Sequence, residues 1–231
     1  MTMIADNLQR VRARIAQAAT ACQRKPDSVT LLAVSKTFPA EAVRQAYAAG
    51  QTAFGENYIQ EAVDKMAALA DLPLVWHCIG PIQSNKTRLV AEHFDWAHSV
   101  DRLKIAQRLS DQRPEGMAPL QVCIQVNIDG GPTKAGVAPE AVLELARQIA
   151  ALPRLHLRGL MTIPEPAADF ASACAVHTRA RALFDALNAE GLQLDTLSMG
   201  MTADLEAAVQ SGSTLVRVGT AIFGKRDYAT A

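Results

Sequence analysis

Short runs of apolar and β-branched residues alternate along this chain with longer stretches in which apolar side chains recur every three or four positions. The short runs, at 29–35, 52–55, 74–79, 94–98, 120–127, 155–161, 194–198 and 214–218, read as strands. The longer ones, Ala-rich and amphipathic, read as helices near 40–49, 57–70, 84–93, 101–113, 139–151, 168–190 and 203–211, with one more near 3–22 ahead of the first strand. Strands separated by helices pair in parallel through right-handed crossovers, and eight of them is the number that closes an α/β barrel. The pattern therefore predicts an α/β fold, a single (β/α)8 TIM-type barrel with an extra N-terminal helix, spanning 1–231 as one domain. An open doubly wound sheet is the competing architecture, but no Gly-x-Gly-x-x-Gly follows the first strand.

Composition agrees with one barrel: 231 residues, 49% hydrophobic and 20% charged, suit a chain with a substantial core. Lys plus Arg equals Asp plus Glu at 23 each, so no global field draws the chain to nucleic acid or to an anionic membrane. No run approaches the roughly 20 apolar residues of a membrane span, and the first residues lack a basic segment leading into an apolar one. A cytoplasmic location is expected. Cys22, Cys78, Cys123 and Cys174 are widely spaced, which suggests core packing rather than a disulfide framework or a zinc site.

The candidate chemistry gathers at strand ends. Lys36 closes the first apolar run and is followed by Thr37-Phe38-Pro39, where a strand must stop. Alone it is most simply a solvated charge. At the carboxyl end of a barrel strand, however, a partly desolvated amine can attack a carbonyl and form a Schiff base. Other strand ends carry Gly55-Glu56-Asn57, His77 to Gly80, Asn127, Gly159 to Thr162, Ser198-Met199-Gly200-Met201-Thr202 and Arg217-Val218-Gly219-Thr220. Loops after the seventh and eighth strands of such barrels commonly hold phosphate, and here they offer glycine N–H groups, hydroxyls and a helix start near Thr202. Alternation along the eighth strand points Leu215, Arg217 and Gly219 inward and Val216 and Val218 toward the helices. An inward guanidinium needs an acceptor, either a structural carboxylate or a ligand atom. A Schiff-base lysine, a phosphate cup and an inward arginine together describe pyridoxal 5'-phosphate (PLP).

Six ordered blocks carry a more specific message: Leu32 to Lys36, Phe54 to Glu61, Trp76 to Lys86, Gly159 to Met161, Leu197 to Thr202 and Val216 to Gly224. Through them the chain resembles, essentially end to end, the pyridoxal phosphate homeostasis proteins, whose fold is like the barrel domain of alanine racemase (fold type III). The resemblance implies PLP held on Lys36 as an internal aldimine, its phosphate on Ser198, Gly219 and Thr220, and Arg217 facing the pyridine nitrogen. It places Asn57, in the second block, among the cofactor-binding residues. Tyr58, Cys78 and Thr202 depart from the family's commoner Arg, Phe and Ser.

An arginine at the pyridine nitrogen disfavours the pyridinium and weakens the ring as an electron sink. A racemase also needs a second base on the far face of the ring, and the chain ends soon after the eighth strand. The expected function is thus PLP binding in intracellular PLP homeostasis, as a buffer or carrier without robust catalysis, possessed of a monomeric barrel and serving apo PLP enzymes as acceptors. The alternatives are a small PLP-dependent racemase or lyase using Lys36 with Tyr58 or His77, and a Schiff-base aldolase. His77 itself reads more simply as a backbone-bonded structural residue. Gly130 to Lys134 reads as a loop on the cofactor face, with Lys134 offering a second anion site.

Overall fold

The computed structural model describes residues 2–131 and 135–224, so Lys134 and its proposed anion site lie outside the described residues. Eight parallel strands close a barrel in sequence order: β1 (Thr30–Val34), β2 (Ala53–Glu56), β3 (Val75–Cys78), β4 (Trp96–Val100), β5 (Leu120–Val126), β6 (Leu155–Thr162), β7 (Thr196–Ser198) and β8 (Leu215–Val218). Closure is made by β8 pairing with β1, Arg217 opposite Leu32 and Val218 opposite Ala33. The helices are α1 (Met3–Ala21), α2 (Ala40–Ala48), α3 (Ile59–Ala68), α4 (Thr87–His93), α5 (Leu103–Gln112), α6 (Val142–Ala150), α7 (Phe170–Ala189), α8 (Leu205–Gln210) and α9 (Thr220–Phe223). This is the (β/α)8 barrel with an extra N-terminal helix expected from the alternation of periods.

Two cores follow from that alternation. Val216 and Val218 join the large apolar layer between strands and helices, while Leu32, Val34, Ile79 and Leu215 form a smaller plug inside the barrel. Parallel strands are covered on both faces, and β5 along Leu120–Val126 is accordingly buried at every position but Gln121, Gln125 included.

The expected β4 starts two residues too early. Phe94 is fully buried and donates its N–H to Val90, so it closes α4, and the strand begins at Trp96 and runs on to Val100. The four-residue α9 also escaped the sequence pattern, being too short to show a period.

The additional helix α1 buries Ile4, Leu8, Val11, Ile15 and Ala19, an i, i+4, i+7 stripe. Its polar side chains reach the last two strand–helix loops. Arg14 bonds both carboxylate oxygens of Glu206 at 2.8 and 2.9 Å and the Thr202 carbonyl at 3.1 Å, and Asn7 donates to the Ile222 carbonyl at 2.8 Å. Those loops border the cavity described next.

Candidate functional site

A cavity of about 280 Å³ opens at the carboxyl ends of the strands. Lys36 enters it from the end of β1, Asn57 from the end of β2 and Arg217 from β8, while Met201 to Ala203 and Gly219-Thr220 supply the wall after β7 and β8. Val34, Phe38, Ile79 and Ile163 supply apolar surface. Such a mixture, apolar walls with a few convergent polar groups, is the usual make-up of a small-molecule site.

The backbone on either side of Lys36 is held by buried charges. Ser35 donates its hydroxyl to Glu56 Oε1 at 2.6 Å, and its carbonyl accepts from Lys65 Nζ at 2.9 Å. Lys65 also pairs with the same Glu56 oxygen at 2.6 Å and with Glu61 at 3.1 Å, and Glu61 accepts the Thr37 N–H at 2.7 Å. Thr37 has φ of +67°, a left-handed conformation that a β-branched residue adopts only under constraint. The Glu56–Lys65–Glu61 bridge supplies that constraint. Burial is the largest influence on the Glu56 carboxyl and pushes its pKa up, against the opposing pull of Lys65 and Ser35.

Arg217 is 4% exposed. Its Nη1 donates to the Ser198 carbonyl at 2.8 Å and to Ser198 Oγ at 2.7 Å, and its Nη2 to the Thr162 carbonyl at 2.8 Å. These partners are all neutral, and no carboxylate pairs with this guanidinium among the described residues. The structural carboxylate allowed for by the sequence is therefore not what accepts it. Desolvation lowers its pKa to about 10, which leaves it cationic at neutral pH. Five N–H donors are present and three hydrogen bonds use two of its nitrogens, so donor capacity remains for a ligand.

Behind Arg217 lies a polar file across the barrel. His98 Nδ1 sits 3.0 Å from Ser198 Oγ, and His98 Nε2 sits 2.9 Å from His77 Nδ1. His77 stacks on Trp96 with ring centroids 5.1 Å apart. Burial lowers the pKa of His77 to about 3, and burial together with the fields of His77 and Arg217 lowers that of His98 well below its ordinary value.

Asn57 Oδ1 is buried without a hydrogen-bond partner among the described residues. Its backbone is packed against Gly80, where an added Cβ would lie 2.2 Å from the Asn57 carbonyl oxygen. Gly200 has φ of +96°, an added Cβ there would meet Ala208 at 2.4 Å, and its carbonyl accepts the Arg217 N–H at 3.0 Å. Both glycines thus fix loops that border the cavity.

Of the residues singled out from sequence, Lys36, Asn57, Arg217, Gly219 and Thr220 meet at the cavity, and Ser198 does not line it. Ser198 is fully buried, and its hydroxyl bonds Arg217 and lies within hydrogen-bond reach of His98. Thr202, from the same loop, faces the cavity in its place. Tyr58 is 53% exposed and His77 is buried, and neither lines the cavity. Sequence reasoning missed Glu61 and Lys65, whose signal was their i, i+4 spacing in α3, and His98, whose signal was its inward position two residues after Trp96.

Comparison with known proteins places the chain in a family. The alanine racemase N-terminal domain family matches residues 7–227. The pyridoxal phosphate homeostasis protein of Pseudomonas aeruginosa is 62% identical over 228 residues, covering 99% of this chain and 98% of that protein. The chain belongs to the pyridoxal phosphate homeostasis protein family. Another structure in this group, PipY of Synechococcus elongatus PCC7942, was solved with PLP bound; it superposes with a TM-score of 0.83 at 42% identity over 96% of this chain and 100% of PipY. The alanine racemase of Clostridium difficile 630 shares the fold at a TM-score of 0.72 and 15% identity, and the match covers 97% of this chain but 58% of the racemase.

Proposed function

We propose that this protein binds pyridoxal 5'-phosphate and acts in PLP homeostasis as a cytoplasmic, monomeric buffer or carrier that serves apo PLP enzymes as acceptors. The observation that carries the reading is the pairing, in one 280 Å³ cavity, of Lys36 with a buried cationic Arg217 that has no carboxylate partner among the described residues. PLP suits both: its aldehyde reacts with an amine, and its ring nitrogen and anionic phosphate accept hydrogen bonds. Asn57 Oδ1, without a hydrogen-bond partner among the described residues, offers another polar contact. In this reading Lys36 is the attachment point, Arg217 donates to the ring nitrogen, and Thr202, Gly219 and Thr220 hold the phosphate, with Ser198 bracing Arg217 from below.

When bound, the group supplies an electrophilic carbon that exchanges amines and a ring that withdraws electrons. Arg217, a donor that stays charged, keeps the ring nitrogen unprotonated and so weakens that withdrawal. A racemase further needs a base opposite Lys36. Among the described residues lining the cavity there is no histidine, tyrosine, cysteine or carboxylate to serve. Binding and release are the chemistry this lining favours.

The test is borohydride reduction of PLP-loaded protein followed by peptide mass mapping. A pyridoxyl phosphate group on Lys36, and loss of the visible absorbance band in Lys36→Ala, is the expected result. Labelling of Lys86 or Lys65 with Lys36 unmodified would overturn the assignment.

A further inference from the structure

The file of side chains behind Arg217 has one hydrogen-bond direction. A guanidinium can only donate, so Ser198 Oγ is an acceptor toward Arg217 at 2.7 Å. The remaining partner of that hydroxyl among the described residues is His98 Nδ1 at 3.0 Å. Were His98 protonated at Nδ1, it too would donate to Ser198 and the buried serine O–H would have no acceptor, which a buried polar group does not tolerate cheaply. The serine therefore donates to an unprotonated His98 Nδ1. His98 then carries its proton on Nε2, donates to His77 Nδ1 at 2.9 Å, and leaves His77 protonated on Nε2. That last nitrogen has no protein partner among the described residues, and the His77 ring borders a second cavity, at the amino-terminal end of the strands, lined also by Trp96 and Arg158. Water reaching that cavity can satisfy it.

We propose that His98, backed by His77, is a positioning residue for Arg217: the one-way relay from Arg217 through Ser198 and His98 to His77 holds the guanidinium charged and aimed at the cofactor cavity. Each acceptor in the relay turns its lone pair toward Arg217, so the aligned dipoles take the place of a carboxylate, none of which pairs with this buried cation among the described residues. The relay also spans the barrel. His77 and His98 come from the neighbouring strands β3 and β4, Ser198 and Arg217 from β7 and β8, and the His98–Ser198 bond joins the two sides. Its value for PLP rests on the proposed function above.

Two measurements test the relay. Nitrogen-15 shifts of the imidazoles in the cofactor-free protein should show His98 and His77 neutral and protonated on Nε2; a proton on His98 Nδ1, or a charged His98 at neutral pH, would overturn the relay. PLP titrations followed by absorbance should show His98→Phe binding about five- to tenfold more weakly than wild type, with an altered absorption maximum of the bound cofactor. His98→Asn places an acceptor near the position of Nδ1 and should recover most of the affinity and the wild-type spectrum. Equal binding and identical spectra for wild type and His98→Phe, or no recovery in His98→Asn, would overturn the inference. The nitrogen shifts need neither a variant nor PLP, so a wild type that fails to take up PLP counts against the cofactor reading and leaves the relay decided by the shifts alone.

Discussion

Lys36 is set by its neighbours' contacts more than by its own strand. Ser35 and Thr37 are each tied to the Glu56–Lys65–Glu61 bridge, and Lys65 is 6% exposed where it joins the two carboxylates. Breaking a buried pair on one side leaves an uncompensated charge, whereas replacing both sides is far milder. Lys65→Met should therefore lose about 3–5 kcal/mol of stability in urea unfolding, and Lys65→Met combined with Glu56→Gln should recover much of it. If the single and double variants unfold together with wild type, the bridge does not constrain the segment. At the phosphate end, Thr202→Val should weaken PLP binding by roughly the 1.5–3 kcal/mol of a charge-assisted hydrogen bond, while Ser198→Ala should instead shift the spectrum through Arg217. Equal affinities for pyridoxal and its phosphate, measured by titration, would remove Thr202, Gly219 and Thr220 from the phosphate role.

At the scale of elements, α1 is the brace of the cavity's far wall. Arg14 holds the Thr202 carbonyl and Glu206, and Asn7 holds the carbonyl of Ile222 in α9. Both contacts are partly exposed, so each contributes on the order of 0.5–1 kcal/mol. Arg14→Ala with Asn7→Ala should leave borohydride labelling of Lys36 intact while raising the PLP dissociation constant a few-fold, by titration. Strands β3 and β4 carry a separate, acid-sensitive element. His77, with its pKa lowered to about 3, stays neutral in the fold while an unfolded histidine takes up a proton near pH 6.5. The unfolded chain then binds more protons, so this contribution is complete above pH 6.5 and is lost progressively as pH falls toward 3. Between pH 6.5 and 5 the loss from His77 is about 1.6 kcal/mol. Urea midpoints at those two pH values should differ less in His77→Phe than in wild type, and an unchanged difference would refute the burial argument.

The whole molecule carries as many basic as acidic residues, and no helix among the described residues is long and apolar enough to cross a membrane. One working cavity at the strands' carboxyl ends, with a cation at its floor and a reactive amine at its rim, suits a protein that takes up a small anionic aldehyde and gives it back. Holo-protein mixed with a cofactor-stripped enzyme should restore the enzyme's activity. Recovery in one chamber but not across a membrane permeable to small molecules indicates transfer by contact, and recovery in both indicates release of free PLP. No recovery in either, together with vigorous turnover of an amino acid by the protein itself, would favour the racemase or lyase.

The chain's local pattern was enough to determine the barrel, because period-2 and period-3.6 runs are written in neighbouring residues, and the inward face of β8 followed from alternation alone. It also determined that Lys36, Arg217, Gly219 and Thr220 sit at strand ends of one face. The partners of those residues were decided only by closure of the barrel. His98 meets Ser198 across 100 residues of sequence, Lys65 meets Ser35 across 30, and α1 reaches loops almost 200 residues away. Such contacts have no local period to reveal them. For the same reason the loop of Ser198 was legible from strand position, whereas the bonds of its hydroxyl to Arg217 and His98 were decided only by the packed interior.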